Sequence, residues 1–226
     1  MSATKKDNSS DNGKPQIGKD EGSEFSAPSG SLTSGRLVLI SYVTYLKLQA
    51  NALPGNLYQA RFTRQTPYVW MHESTVTIHF RRLRYLNELV NSSEPRAEIN
   101  LKGSMLWEIE FRSGVSNLHA DLHQLQLRSL DMLGGANQMR LMLSRPTEIS
   151  YIYISRGISQ GTILVPADAG VRLRISGGAT NLVFDNRRFG AIESEITLES
   201  PNFNKTTGRY DICIAGGASD LTIKRE

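Results

Sequence analysis

The string "HADLH" sets His119, Asp121 and His123 at every second position. Imidazole and carboxylate are common ligands of zinc and related ions, so this is the chain's candidate metal site. On an extended strand the three side chains share one face, with Leu118, Ala120 and Leu122 on the other. The same geometry limits the site. Residues two apart on a strand lie about 7 Å apart. A metal draws its ligands to within about 2.2 Å, so a pair could share one ion but three could not without a bulge. The expected state is an exposed polar face, with no cofactor.

Other chemistry-bearing residues read the same way. Ser, His and acids are present, but no G-x-S-x-G elbow frames a nucleophile, and no catalytic residue is assigned. "GGAS" and "GGAT" could suggest a phosphate loop, yet that needs a following helix N-terminus. Here the glycines lead into alternating residues. Outward acids (Glu193, Glu195, Glu199, Asp211) and bases (Arg172, Arg174, Arg187, Arg188) could serve a polysaccharide face. A solvated wall of mixed charge is the simpler expectation. Arg61, Arg64, Arg81, Arg82 and Arg84 lie near Tyr68, Trp70 and Tyr85, the mixture that holds single-stranded nucleic acid. We take a loop bordering the first coils as the simpler reading, with Trp70, Arg81, Arg82 and Arg84 as candidate partner-binding residues. The lone Cys213 should point outward and cannot form an internal disulfide.

The elements that position these residues have period two. "STVTIHF", "AEINL", "WEIEF", "RLRIS" and "DLTIKR" alternate apolar and polar side chains, the mark of half-buried strands. Only "RRLRYLNELVNSS", Arg81 to Ser93, hints at helical spacing. Strands also recur around a glycine turn at Gly114, Gly135, Gly157, Gly178 and Gly217, with steps of 21, 22, 21 and 39. Three and five residues before each glycine, and four and six after, 19 of 20 positions are apolar; Gly161 is the exception. This predicts a solenoid with a coil of about 21 residues and one longer coil. The glycines are assigned to a sharp corner at positive φ, where a β-carbon is costly. Phe111, Met132, Ile154 and Ile175 should then stack in one column.

Two degenerate copies extend the register toward the N-terminus, anchored on Tyr42 and on His72. Residues 1–34 are polar and nearly free of apolar side chains, so we expect a disordered tail there. The body then spans residues 35–226, with degenerate coils over 35–106 and regular ones over 107–226. The net charge of +4 permits an anionic partner without requiring one. No apolar run reaches membrane-spanning length, and no secretory signal is visible, so a cytoplasmic setting is expected.

The strings "ISGGATNLVFDNRRFGAIESEITLESPNF" and "RYDICIAGGASDLTI" resemble bacterial toastrack domains. These are adhesin-like, single-stranded right-handed β-helices, also found at the C-terminal end of cell-envelope stress regulators. The resemblance spans Gly35 to Glu226 and is strongest from Trp107 onward. It implies a protein-interaction or sensing module and brings no catalytic residues. The expectation is therefore an all-β, single-stranded right-handed β-helix that is not an enzyme. It would bind a protein partner, or itself, through its coil ends in bacterial signalling. The chain's C-terminal end is the expected docking surface, since no capping segment follows Ile223.

Overall fold

A computed structural model of the chain describes residues 16–17, 23–63, 67–80 and 96–226. Among them every regular element is a strand. The first seven are β1 (Gln16–Ile17), β2 (Ser23–Pro28), β3 (Ser34–Leu39), β4 (Tyr45–Gln49), β5 (Asn56–Thr63), β6 (Pro67–His72) and β7 (Thr75–Phe80). The middle seven are β8 (Arg96–Leu101), β9 (Leu106–Phe111), β10 (Val115–Leu122), β11 (Gln126–Met132), β12 (Ala136–Leu143), β13 (Ile149–Ile154) and β14 (Ile158–Val165). The last six are β15 (Gly170–Ile175), β16 (Ala179–Phe184), β17 (Arg187–Ile192), β18 (Ile196–Glu199), β19 (Arg209–Ile214) and β20 (Ala218–Arg225).

The chain alternates between two ten-stranded sheets. One has the order β1-β6-β7-β3-β9-β11-β13-β19-β15-β18; the other runs β2-β5-β8-β4-β10-β12-β14-β20-β16-β17. Set side by side, the two orders give seven parallel layers, each with one strand per sheet: β7/β8, β3/β4, β9/β10, β11/β12, β13/β14, β19/β20 and β15/β16. Antiparallel strands finish both ends: β5, β6, β1 and β2 at one, β17 and β18 at the other.

One apolar core lies between the walls. Leu39, Phe111, Met132, Ile154, Ile214 and Ile175 pair in succession, as do Leu37, Ile109, Leu130, Ile152, Ile212 and Leu173. All twelve are essentially inaccessible to water. Each buried large apolar side chain contributes roughly 1.5–3 kcal/mol against exposure. Trp107 is wholly buried in phase with Ile109, and its indole N–H donates to the Lys102 carbonyl at 2.9 Å. Gly35 faces it across the pair and leaves room for the ring: a β-carbon there would lie 2.7 Å from the indole.

The corner works differently from the expectation. Of the five anchor glycines only Gly178 has positive φ, +77°. The left-handed residues are instead Asn117, Gln138, Gln160, Asn181 and Asp220, each three after its anchor, with φ of 48–59°. These positions are skipped in the strand ladders: Ser116 pairs with Asn137 and Leu118 with Met139, while Asn117 and Gln138 face no partner. Each is a left-handed step, matched in the neighbouring strand, that resets the alternation, which is why buried positions fall one, four and six after the glycine. Asn and Asp tolerate this conformation because their short polar side chains bond locally. The anchors serve close approach between layers. The carbonyls of Gly135, Gly157, Gly217 and Gly178 accept from the N–H groups of Val115, Ala136, Ile158 and Ala218 at 2.9–3.1 Å.

Several expectations change. Ile214 stands between Ile154 and Ile175, so the last layer in sequence is inserted between its two predecessors. The long step of 39 buys that return: β17 and β18 cover the end, then the chain runs back inside. The C-terminal strand β20 is paired on both sides, with β14 and β16, and so is not a docking end. At the opposite end β3/β4 is likewise inserted, between β7/β8 and β9/β10. Tyr42 holds the anchor position as expected, since Leu39 pairs with Phe111 and Leu46 with Leu118. His72 does not. Val76 and Ile78 pair with Leu37 and Leu39 and belong to the strand before the corner, while His72 ends a hairpin strand. The tail also shrinks, because Phe25 enters the core and β2 pairs with β5, so residues 23–34 join the body. The Arg81–Ser93 segment lies outside the described residues.

Candidate interaction surfaces

The outward positions of β13, β19 and β15 form two short rows across the first sheet. One reads Tyr151, Asp211, Arg172; the other reads Tyr153, Cys213, Arg174. Leu133, just beyond β11, borders them. Tyr151 is 52% exposed, Leu133 45% and Tyr153 37%. An aromatic pair on a strand hydrogen-bonded on both sides exposes apolar area on backbone that is already ordered before binding. Parallel pairing fixes the backbone spacing, so the rings sit on a preset lattice.

Asp211 faces outward yet is only 6% exposed. Arg172 and Arg174 cover it: Arg172 Nη2 bonds Oδ2, and Arg174 Nη2 reaches Oδ1 at 3.3 Å. Arg172 Nη1 also lies 3.8 Å from Glu199. The hydrogen bond to Asp211 raises the Arg172 pKa further; burial opposes it, and the charges of Asp211 and Glu199 reinforce it. Phe203 completes the packing, with the guanidinium carbons of Arg172 and Arg209 4.8 Å and 5.1 Å from its ring centre. Two of the four acids of the polysaccharide reading, Asp211 and Glu199, therefore meet here as ion-pair partners. Both Asp211 oxygens are held by guanidinium groups, which suits a rigid wall better than proton transfer.

The candidate metal triad does not assemble. Asp121 Oδ1 bonds Nδ1 of His123, which lies past the end of β10, while His119 lines a separate open depression of about 460 Å³ with Tyr45, Lys47, Arg96, Glu98 and Asn117. Among the described residues no three His, Cys, Asp or Glu side chains could hold a metal ion. Leaving the strand breaks the shared face that the sequence spacing assumed. Trp70 sits on β6 opposite Thr77, half-buried on the outer wall. Its proposed companions Arg81, Arg82 and Arg84 lie outside the described residues. Gly114, Gly135, Gly157, Gly217 and Gly178 line one corner in that spatial order. Tyr42 joins them, its ring 3.6 Å from where a Gly114 β-carbon would be and its hydroxyl 2.6 Å from Ser116 Oγ.

Sequence reasoning missed the pairing of Asp211 with two arginines, because β19 and β15 are separated by the cap in sequence. It also missed the exposed tyrosines, although "YIYI" carried the signal: every second residue is aromatic on a strand whose other face is aliphatic.

No family model matches the sequence, and no curated protein matches it. Among solved structures the chain is similar to the crystal structure of "a putative cell adhesion protein" from Clostridium sporogenes. The identity is 18% and the TM-score 0.73, over 94% of this chain and 100% of that one. At that identity the likeness is one of fold. Among the described residues no helix is long and apolar enough to cross a membrane.

Proposed function

We propose that the chain is a non-enzymatic protein-interaction module, an adhesin-like single-stranded right-handed β-helix of the toastrack type acting in bacterial signalling or stress response. Right-handedness follows the general rule for crossovers between parallel strands of one sheet. The observation that carries the interaction reading is the set Tyr151, Tyr153 and Leu133, exposed on the same wall as Arg172 and Arg174, which stand two strands from the tyrosines. Tyr and Arg dominate the residues that anchor protein interfaces. The unpaired Cys213 suits a reducing compartment, which fractionation of a tagged chain checks.

A photo-cross-linking amino acid in place of Tyr153 tests the wall against Thr162 on the opposite sheet. Discrete protein adducts from position 153, lost in Tyr151→Ser, are expected. Equal adducts from both positions, or retention of a glycan with no protein adduct, would overturn the reading.

A further inference from the structure

The end made by β17 and β18 carries an open sheet edge, and its sequence is self-complementary. β17 and the turn after it read "RRFGAIESE": Arg187 and Arg188 at one end, Glu193 and Glu195 at the other. Arg188, Glu193 and Glu195 are exposed and have no ion-pair partner among the described residues. Arg187 lies over the Phe184 ring at 5.2 Å and donates to the Glu199 carbonyl across the end. Phe189, Ile192 and Ile196 pack against the end of the core while remaining partly exposed. Among the described residues β17 pairs with β16 on one side alone. Gly190, near its centre, has open space where a side chain would stand.

We propose that two copies of this chain join through this edge, β17 pairing antiparallel with β17 of the second copy about a two-fold axis at Gly190. Antiparallel self-pairing reverses the charge pattern, so each copy's Arg187 and Arg188 come opposite the other's Ile192–Glu195 end. The absent side chain at Gly190 leaves the axis open, Phe189 of each copy stands opposite Ala191 of the other, and Ile192 stands opposite Arg188. An isologous contact of this kind closes at two copies, whereas a head-to-tail contact would propagate. It joins the edges of two sheets by main-chain bonds, with side chains setting the choice of partner.

Sedimentation of the full chain across about 1 μM to about 1 mM tests the proposal. The wild type should approach twice the 25.1 kDa chain mass. Glu193→Arg with Glu195→Arg should raise the dissociation constant by at least about tenfold, since four arginines then meet on each side. Arg187→Glu with Arg188→Glu should do the same. An equimolar mixture of the two double variants should restore the dimer, and so should the four reversals combined in one chain. Gly190→Lys should yield a folded monomer. Tyr151→Ser with Tyr153→Ser should remain dimeric, which separates this edge from the aromatic wall. A monomeric wild type at the highest concentration, or a dimer indifferent to the reversals, would overturn the proposal.

Discussion

Arg225, in the last strand, grips Asp185 through two hydrogen bonds of 2.9 Å. Asp185 occupies the turn between β16 and β17 with φ of 53°, and its N–H donates to the Ile223 carbonyl at 2.9 Å. Arg225 also donates to Asn202, in the connection that returns from the cap. One guanidinium thus ties together the inserted strand, the cap hairpin and the returning loop. Both side chains are mostly buried, 23% and 18% exposed, so solvent weakens the pair less than a surface bridge. Arg225→Leu should cost about 1–3 kcal/mol in urea unfolding. Its hydrogen exchange should rise first in β17, the strand led by that turn.

The close approach of backbone at the corners predicts a sharp contrast among glycines. A β-carbon at Gly216 would fall 1.3 Å from the Arg156 carbonyl oxygen, whereas at Gly190 it would meet nothing within 4 Å. Gly216→Ala should therefore destabilise by about 3 kcal/mol or more, or abolish folding. Gly190→Ala should change the monomer's midpoint by less than about 0.5 kcal/mol.

The left-handed residues make a different prediction. Gln138 holds φ of 52°, where a β-branched residue is strained. Gln138→Val should lose about 1–2 kcal/mol. Gln138→Gly should leave stability level or raise it, because glycine adopts this conformation freely. Equilibrium denaturation of the two variants checks the order.

Acid should weaken one surface cluster selectively. Burial pushes the Glu110 carboxyl upward, but hydrogen bonds and charge from Arg112 and Arg36, each at 2.7 Å, more than offset this and hold it below its ordinary 4.5. Its contribution is complete above the unfolded value and fades as pH falls through the lower folded one. Glu110→Gln should thus be less stable than wild type at pH 7 and converge with it in acid, as read from melting midpoints.

Alkali should act on the core. Burial pushes Tyr58 and Tyr210 up to about 12 from 10, and in Tyr210 a side-chain hydrogen bond with Ser144 partly opposes burial. Their contribution is present below pH 10 and declines as pH rises toward the folded value, because the unfolded chain ionises first. An absorbance titration should show a late-ionising component that is lost in Tyr58→Phe and in Tyr210→Phe.

Much of the architecture is written in local pattern. The columns through Leu37, Ile109 and Leu130 follow from period two, and Tyr42 could be set in register without its glycine. Layer order is not local. Ile154, Ile214 and Ile175 are chemically interchangeable, so a column cannot reveal which isoleucine sits between the others. That choice depends on the path of the cap, residues 187–199. The false anchor at His72 arose because Val76 and Ile78 alternate equally well before a corner or after one. Phe25 was a single apolar residue in a polar segment, too little pattern to mark a strand. The left-handed positions were legible: Asn, Gln, Gln, Asn and Asp stand three after successive glycines.

The inserted last layer decides which surface is an end, and the native thiol can test it. Cys213 is in register with Tyr153 on one side and Arg174 on the other. Neighbouring strands are about 4.8 Å apart, within disulfide reach, while strands once removed lie about 9.6 Å apart and exceed it. The measurement is disulfide formation under mild oxidation in three folded variants. Tyr153→Cys and Arg174→Cys should each cross-link to Cys213, and Tyr153→Cys with Arg174→Cys in a Cys213→Ser chain should not. Rapid cross-linking of the third variant, with none between Tyr153→Cys and Cys213, would mean the layers stack in sequence order and would contradict the account.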